Sequence, residues 1–176
     1  GISPDGGLYV LPGLDQIHLD LSMICSKSYK ENAVYILSHL LTDYSIDELR
    51  MCVENAYSNS FSKEEITPVK KVDDVYVLEL FHGPTIAFKD MALSILPYLM
   101  TTAARKNNVK NDIVILTATS GDTGKAALAG FADVPGTRII VFYPKNGVSK
   151  VQELQMVTQK GDNTSVVAIH GNFDNA

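Results

Sequence analysis

Residues 82–90 place a lysine, Lys89, among apolar neighbours where a predicted strand and turn give way to a predicted helix. An ordinary surface lysine has polar neighbours, whereas an amine that is partly withdrawn from water loses some preference for its charged form. Such an amine can act as a nucleophile that forms Schiff bases. The alternative is a lysine whose aliphatic stem packs on apolar surface while its amine reaches water.

A second stretch, residues 117–124, combines four hydroxyl side chains with two glycines. It follows a predicted buried strand and precedes a predicted helix, so its hydroxyls, its amides and the helix N-terminus would together form an anion site. A nucleotide P-loop is not favoured, because that motif needs glycine at Thr119 and a hydroxyl residue at Ala126. We predict that this glycine loop binds the carboxylate or phosphate of a small ligand. An ordinary strand-to-helix turn, capped by serine and threonine, is the alternative.

The elements around these stretches predict an α/β fold with a mostly parallel sheet and flanking helices. Strands predicted at 75–80, 112–118, 138–143 and 165–170 alternate with helices predicted at 89–106, 124–131 and 150–159. Ligands of such sheets bind at the carboxyl ends of the strands, where the two stretches would lie. Pro97 falls inside one helix and predicts a kink or break there. The apolar run at 113–116 is typical of a strand buried on both faces.

A small helical region is predicted before the sheet. Ser28 with Glu31, and Ser45 with Glu48, have the spacing of capping boxes and predict two helix starts there. Ser149 with Gln152 predicts a third, at the start of the helix at 150–159. Residues 8–11 predict an edge strand. The polar stretch at 59–74 predicts a boundary between an N-terminal region, 1–74, and the α/β domain, 75–176.

Composition disfavours several classes of partner. The formal net charge is -5 and no basic cluster is present, so nucleic acid and anionic membrane surfaces are not expected partners. No apolar run approaches the roughly 20 residues that span a bilayer. Cys25 and Cys52 lack the spacing of metal ligands, so we predict no metal site and two buried, reduced thiols in a cytoplasmic protein.

Two motifs, FHGPTIAFKD at 81–90 and TSGDTGKAA at 119–127, resemble those of threonine synthases. The segments SPDGGLYV at 3–10, VQELQM at 151–156 and GNFD at 171–174 are similar to the same family. The resemblance therefore extends over essentially the whole chain.

The resemblance implies a pyridoxal-phosphate enzyme of the tryptophan-synthase-β fold type, which converts O-phospho-L-homoserine and water to L-threonine and phosphate. It implies that Lys89 forms the Schiff base with the cofactor and that Phe88 lies beside the pyridine ring. It also implies that the glycine loop binds the substrate carboxylate through Thr119, Ser120, Gly121, Thr123 and Gly124.

Asp122 is also implied to bind the cofactor, and its charge poses a problem. Related enzymes often have an asparagine there, facing the phenolic oxygen of the cofactor, which an ionised aspartate would repel. We therefore expect Asp122 to be protonated, bridged by a cation or water, or turned away.

The chain also departs from the family pattern, because family members are much longer and their cofactor-phosphate cradle has no counterpart here. We expect the 176 residues alone to bind cofactor weakly, if at all, and to be inactive. Two other functions stay open: a related elimination enzyme of the threonine deaminase or cysteine synthase type, or a non-catalytic interaction module that self-associates. The aspartate of the glycine loop and the sequence LFHGPT favour threonine synthase.

Overall fold

The computed structural model of the protein describes residues 3–119 and 121–172. In these ranges a short 3-10 turn, Leu14–Gln16, precedes the first helix. The helices are α1 (Leu21–Cys25), α2 (Tyr29–Leu40), α3 (Ile46–Tyr57), α4 (Asp90–Leu93), α5 (Leu96–Lys106), α6 (Asp122–Phe131) and α7 (Lys150–Val157). The strands are β1 (Val69–Val72), β2 (Val75–Leu78), β3 (Ile113–Ala118), β4 (Thr137–Pro144) and β5 (Thr164–Ile169).

Helices α2 and α3 pack against each other and begin at the two predicted capping boxes. In each box the serine hydroxyl accepts a hydrogen bond from the third helical amide, and the glutamate of that residue accepts one from the serine amide. The pair buries one apolar cluster, formed by Cys52, Val53, Ala56, Tyr57, Ile66 and Ile95. Because Ile95 lies between α4 and α5, the N-terminal helices directly support the segment that follows Lys89.

The strand predicted at 75–80 belongs to an antiparallel hairpin, not to the parallel sheet. β2 pairs with β1, and Val72 lies opposite Val75. Asp73 makes the tight connection with a φ of 51°, a left-handed conformation that aspartate tolerates. The expectation of a parallel strand is therefore wrong, because β2 pairs with β1. The sequence did not indicate β1 as a strand, since its two lysines give it the composition of a polar linker.

The break predicted near Pro97 is present. α4 ends at Leu93, α5 begins at Leu96, and Pro97 lies in the first turn of α5. Proline is favoured there because it lacks only an amide that would have no intrahelical acceptor in any case. The break leaves α4 as a helix of four residues that starts directly after Lys89.

The sheet has the order β3-β4-β5, and both pairs of strands are parallel. Ile115 lies opposite Ile139, and Val141 lies opposite Val166. Helices α6 and α7 cover the face that carries these residues, and the main buried cluster forms there from Ala127, Leu128, Phe131, Ile139, Val141, Tyr143 and Met156. The predicted α/β fold class is confirmed.

The opposite face of the sheet is exposed at β3 and partly exposed at β4, in the part of the chain that the structure describes. Val114 and Leu116, which alternate with the covered residues of β3, are 52% and 66% exposed. The expectation that this strand is buried on both faces is therefore wrong for the described residues, because α6 and α7 lie on one face.

Two smaller expectations are also corrected. Residues 8–11 form no strand beyond a single bridge at Leu8, and their large apolar side chains are exposed, so no core holds them in register. Both cysteines are free, but Cys25 is exposed and only Cys52 is buried. The domain boundary at residue 74 stays a prediction.

Among the described helices, none combines the length and the apolar character that crossing a membrane requires.

Candidate functional site

Lys89 occupies the position directly before α4, in a right-handed helical conformation. The side chain is half-buried, and its Nζ lies over the Phe88 ring, 4.3 Å from the ring centroid. Within the described ranges, Lys89 forms no ion pair and no side-chain hydrogen bond. Its amine therefore contacts an aromatic ring and has no neighbouring carboxylate bonded to it.

The carboxylate of Asp90 organises the turn that leads to Lys89. Asp90 is only 1% exposed. It accepts hydrogen bonds from the amide of Thr85, at 2.9 Å, and from the hydroxyl of Thr85, at 2.6 Å. A longer contact joins it to the amide of Ala87, at 3.4 Å. One buried side chain thus closes the turn and fixes the backbone immediately before Lys89.

Gly83 is required at the start of this turn for lack of space. A Cβ at residue 83 would lie 2.5 Å from Oδ2 of Asp90, well inside contact distance. The glycine that the sequence showed beside Pro84 therefore lets the backbone approach the buried carboxylate closely.

Helices α4 and α6 run side by side in the same direction. A Cβ at Gly130, in the last turn of α6, would lie 2.9 Å from the carbonyl carbon of Leu93, in the last turn of α4. At the other end, Asp90 in α4 attracts the amine of Lys125 in the first turns of α6. Lys89 and the glycine loop therefore lie at the same end of the two helices.

The glycine loop is held by Thr119, which is 3% exposed. Its Oγ1 accepts hydrogen bonds from the amide of Gly121, at 3.0 Å, and from that of Gly124, at 2.9 Å. These are two of the amides that we expected to bind an anion. Helix geometry leaves the amides of Asp122 and Thr123, at the first two positions of α6, without an intrahelical acceptor, so they are the donors that this loop offers a ligand. Ser120, also predicted to bind substrate, lies outside the described residues.

Gly124 marks the tightest packing of the loop. A Cβ there would overlap the methyl group of Thr119 and lie 2.8 Å from Cγ1 of Val141, in the sheet. The first turn of α6 therefore rests directly on β4, at its fifth residue.

Asp122 is exposed, and its Oδ1 accepts a hydrogen bond from Nε2 of Gln152 at 3.1 Å. Of the alternatives expected for this aspartate, the geometry corresponds most closely to a carboxylate turned toward a neighbouring donor. The spacing of Ser149 and Gln152 indicated a capping box, but nothing local in the sequence indicated this bond between two helices.

Lys125, which directly follows Gly124 and was assigned no role from the sequence, lies at the same end of the structure. Its Nζ donates a hydrogen bond to Oε1 of Gln159. Burial lowers the pKa of the Lys125 amine, and the charge of Asp90 partly opposes that effect. A lysine directly after the second loop glycine was the only sequence signal.

His82 is buried and bonded on both sides. Its Nε2 lies 2.7 Å from Oε2 of Glu79, and its Nδ1 lies 3.4 Å from the hydroxyl of Ser62. The bonds tie the end of the hairpin to the segment that follows α3, which is a structural arrangement.

The chain matches known proteins along its length. A family model described as "Threonine synthase N terminus" matches residues 1–57. Threonine synthases of Eremothecium gossypii and Methylobacillus glycogenes are 36% and 38% identical over 99% of this chain. This chain spans 37% and 38% of their lengths.

Solved structures agree with the sequence matches. Yeast threonine synthase superposes with a TM-score of 0.84 at 31% identity, covering 99% of this chain and 37% of that one. A threonine synthase of Brucella melitensis, described as PLP-bound, has the same TM-score at 32% identity, covering 99% of this chain and 38% of that one.

Proposed function

We propose, from the premise that this chain belongs to the threonine synthase family, that it carries the catalytic lysine and the substrate-carboxylate loop of a threonine synthase. The reaction is the conversion of O-phospho-L-homoserine and water to L-threonine and phosphate, in the cytoplasm. The observation that carries the proposal is the placement of Lys89 and the glycine loop at the same end of the parallel helices α4 and α6.

The proposed cofactor is pyridoxal 5'-phosphate, bound as in enzymes of fold type II. The residues present fit its aldehyde end: a half-buried amine beside the ring of Phe88, to which no carboxylate of the described residues is bonded. Lys89 would hold the cofactor covalently, and Phe88 and Asp122 would contact it. When bound, the cofactor accepts the electrons released when a proton leaves the substrate carbon next to the amino group.

The chain's own residues would position the substrate and move the proton. The amides at the start of α6, together with the hydroxyls of Ser120 and Thr123, would hold the substrate carboxylate and fix its orientation. Thr119 would keep the loop in the shape that this requires. The amine of Lys89, released from the cofactor when substrate binds, would act as the general base for the proton on that carbon.

The test is the visible absorbance that appears when pyridoxal phosphate is added to this chain at millimolar concentration. We expect a near-violet band in the unmodified chain and none in Lys89→Ala or Lys89→Arg, because only the amine at residue 89 forms the adduct at this site. Lys145→Ala, which removes an exposed lysine near the same end of the sheet, is the matched control and should keep the band. Equal bands in the unmodified chain and both Lys89 variants would contradict the assignment.

Release of inorganic phosphate from O-phospho-L-homoserine distinguishes threonine synthase from a related elimination enzyme. For the 176 residues alone, we propose no turnover, because the residues that would hold the cofactor phosphate are expected outside this sequence.

We also propose that this chain, taken by itself, self-associates through the exposed face of the sheet. Val114 and Leu116 lie on that face, next to the paired strand β4. Exposed apolar surface of this kind favours association. Sedimentation should show oligomers that dissociate in Leu116→Lys. Equal sedimentation of the two chains would contradict the proposal.

A further inference from the structure

We propose that Gln152 is a positioning residue of the candidate active site, which fixes the carboxylate of Asp122 and with it the first turn of α6. The proposal rests on the proposed function for its catalytic consequence. The side-chain amide of Gln152, in α7, donates a hydrogen bond to Oδ1 of Asp122, in α6.

The start of α7 is a rigid support for this glutamine. Met156, one turn further along, is fully buried in the main core cluster. Tyr143, near the end of β4, donates a hydrogen bond from its hydroxyl to Oε1 of Glu153 at 3.2 Å. Both contacts fix the position of α7 relative to the carboxyl end of the sheet.

Both ends of the Gln152 side chain are used. Its Oε1 accepts hydrogen bonds from the amide of Ser149, at 3.2 Å, and from the hydroxyl of Ser149, at 3.0 Å. Because the oxygen is held by the capping box, the NH₂ group points in a defined direction, and it meets Asp122. The side chain therefore has little rotational freedom left.

Gly121 provides the space for this contact. A Cβ at residue 121 would lie 2.5 Å from Cδ and 2.7 Å from Nε2 of Gln152. Gly121 also has a φ of 137°, which other residues rarely adopt. The glycine thus allows the loop backbone and the glutamine amide to lie in contact.

The bond determines what Asp122 can offer a ligand. The amide of Gln152 engages Oδ1, and within residues 3–119 and 121–172 no side chain bonds Oδ2, which is therefore the oxygen left for another partner. A ligand group at that oxygen must carry a hydrogen or a positive charge, since a lone-pair acceptor would be repelled. Gln152 would in this way determine which oxygen of Asp122 a cofactor or substrate group meets.

Two variants separate this role from helix capping. Gln152→Glu keeps an oxygen for the capping box, where glutamate is favoured, but replaces the amide donor by a second carboxylate. Ser149→Ala weakens the cap but keeps the hydrogen bond from the backbone amide of residue 149 to Oε1 of Gln152, so the amide of Gln152 stays directed at Asp122. The double variant Gln152→Glu/Asp122→Asn reverses donor and acceptor and should restore the bond.

The first measurement is amide hydrogen exchange at Gly121 and Gly124 in this chain without cofactor. We expect exchange about tenfold faster in Gln152→Glu, as for the loss of one hydrogen bond to a charged group. Exchange should be unchanged in Ser149→Ala and restored in the double variant. Unchanged exchange in Gln152→Glu would overturn the proposal, whatever the cofactor does.

The second measurement is the visible band with pyridoxal phosphate. In Gln152→Glu we expect a displaced band and a dissociation constant raised about tenfold, and neither change in Ser149→Ala. Faster exchange with an identical band and affinity would overturn the positioning role. Faster exchange with no band in the unmodified chain would mean that the proposed function fails, and the positioning role with it, although the loop is still held by Gln152.

Discussion

The candidate site lies at the starts of two helices, and one buried side-chain acceptor organises each of them. The two acceptors bond in opposite directions along the chain. At α4 the side chain lies inside the helix, and the carboxylate of Asp90 reaches back to the preceding turn. At α6 the side chain lies before the helix, and the hydroxyl of Thr119 reaches forward to two amides. The first is charged and the second is neutral.

The difference follows from what each turn must present. Glycine and proline lead into the short helix α4, so the turn has little regular structure of its own, and a charged acceptor with strong hydrogen bonds holds it. The turn before α6 rests on a sheet and continues into a ten-residue helix, so a neutral hydroxyl is sufficient. We expect loss of the Asp90 carboxylate to destabilise the protein more than loss of the Thr119 hydroxyl.

Among the changes predicted for the two turns, Gly124→Ala should destabilise the protein most, because the added Cβ would overlap Thr119 and lie 2.8 Å from Cγ1 of Val141. We expect a loss of about 3 kcal/mol in the free energy of unfolding, at the upper end for overpacking. Denaturant unfolding measures it. In a Thr119→Ser background, which lacks the conflicting methyl group, part of the loss should return; strict additivity of the two changes would contradict the packing account.

Asp90→Asn should rank second. Asparagine has one acceptor oxygen where the aspartate uses two, so a buried donor of Thr85 loses its partner. We expect about 2 kcal/mol of destabilisation by denaturant unfolding. Asp112→Asn, at an exposed ion pair with Arg138, is the control and should change stability by less than about 1 kcal/mol. Equal effects of the two changes would contradict the stabilising role of the hydrogen bonds from Thr85 to Asp90.

Thr119→Val should rank third, at about 1 kcal/mol, because valine keeps the shape but removes the acceptor of two amides near the sheet edge. Faster amide exchange at Gly121 and Gly124 would accompany the loss. If Thr119→Val proved more destabilising than Asp90→Asn, the expectation that the charged acceptor contributes more stability than the neutral one would be wrong.

Glu48→Gln addresses a region remote from both turns and should have the smallest effect. Hydrogen bonds from Lys106 and from the amide of Ser45 hold the pKa of Glu48 at about 2, against an ordinary value of 4.5. A carboxyl group with a lowered pKa contributes stability above about pH 4.5, and that contribution is lost as the pH falls toward about 2.

The variant should therefore show a flatter dependence of unfolding free energy on pH across that window, while the turn at Asp90 and the loop at Thr119 are unaffected. Urea unfolding at several pH values would show it. A pH dependence parallel to that of the unmodified chain would contradict the assignment.

Sequence reasoning succeeded where the determining contacts are local. The capping boxes at Ser28, Ser45 and Ser149 each involve residues three apart, and all three are present. The break at Pro97 follows from the proline itself. The parallel pairing of β3, β4 and β5 follows from the alternation of strands and helices along the chain.

The hairpin β1–β2, the bond between Gln152 and Asp122 and the hydrogen bonds of Thr119 were not predicted from the sequence. The hairpin was missed because β1 carries two lysines and has no apolar alternation. The bond between Gln152 and Asp122 spans thirty positions, and the motif in which Gln152 lies indicated only a helix start. The hydroxyl of Thr119 accepts hydrogen bonds from two amides of the glycine loop, which the sequence did not indicate, and its binding of substrate stays a prediction.

The most direct test of the central claim is to trap the adduct of pyridoxal phosphate with borohydride and locate the modified lysine by peptide mass spectrometry. At one equivalent of pyridoxal phosphate, the account predicts that the modified peptide contains Lys89, because this half-buried amine lies over the ring of Phe88 in the proposed site. Modification spread over exposed lysines such as Lys145, with no preference for Lys89, would contradict it.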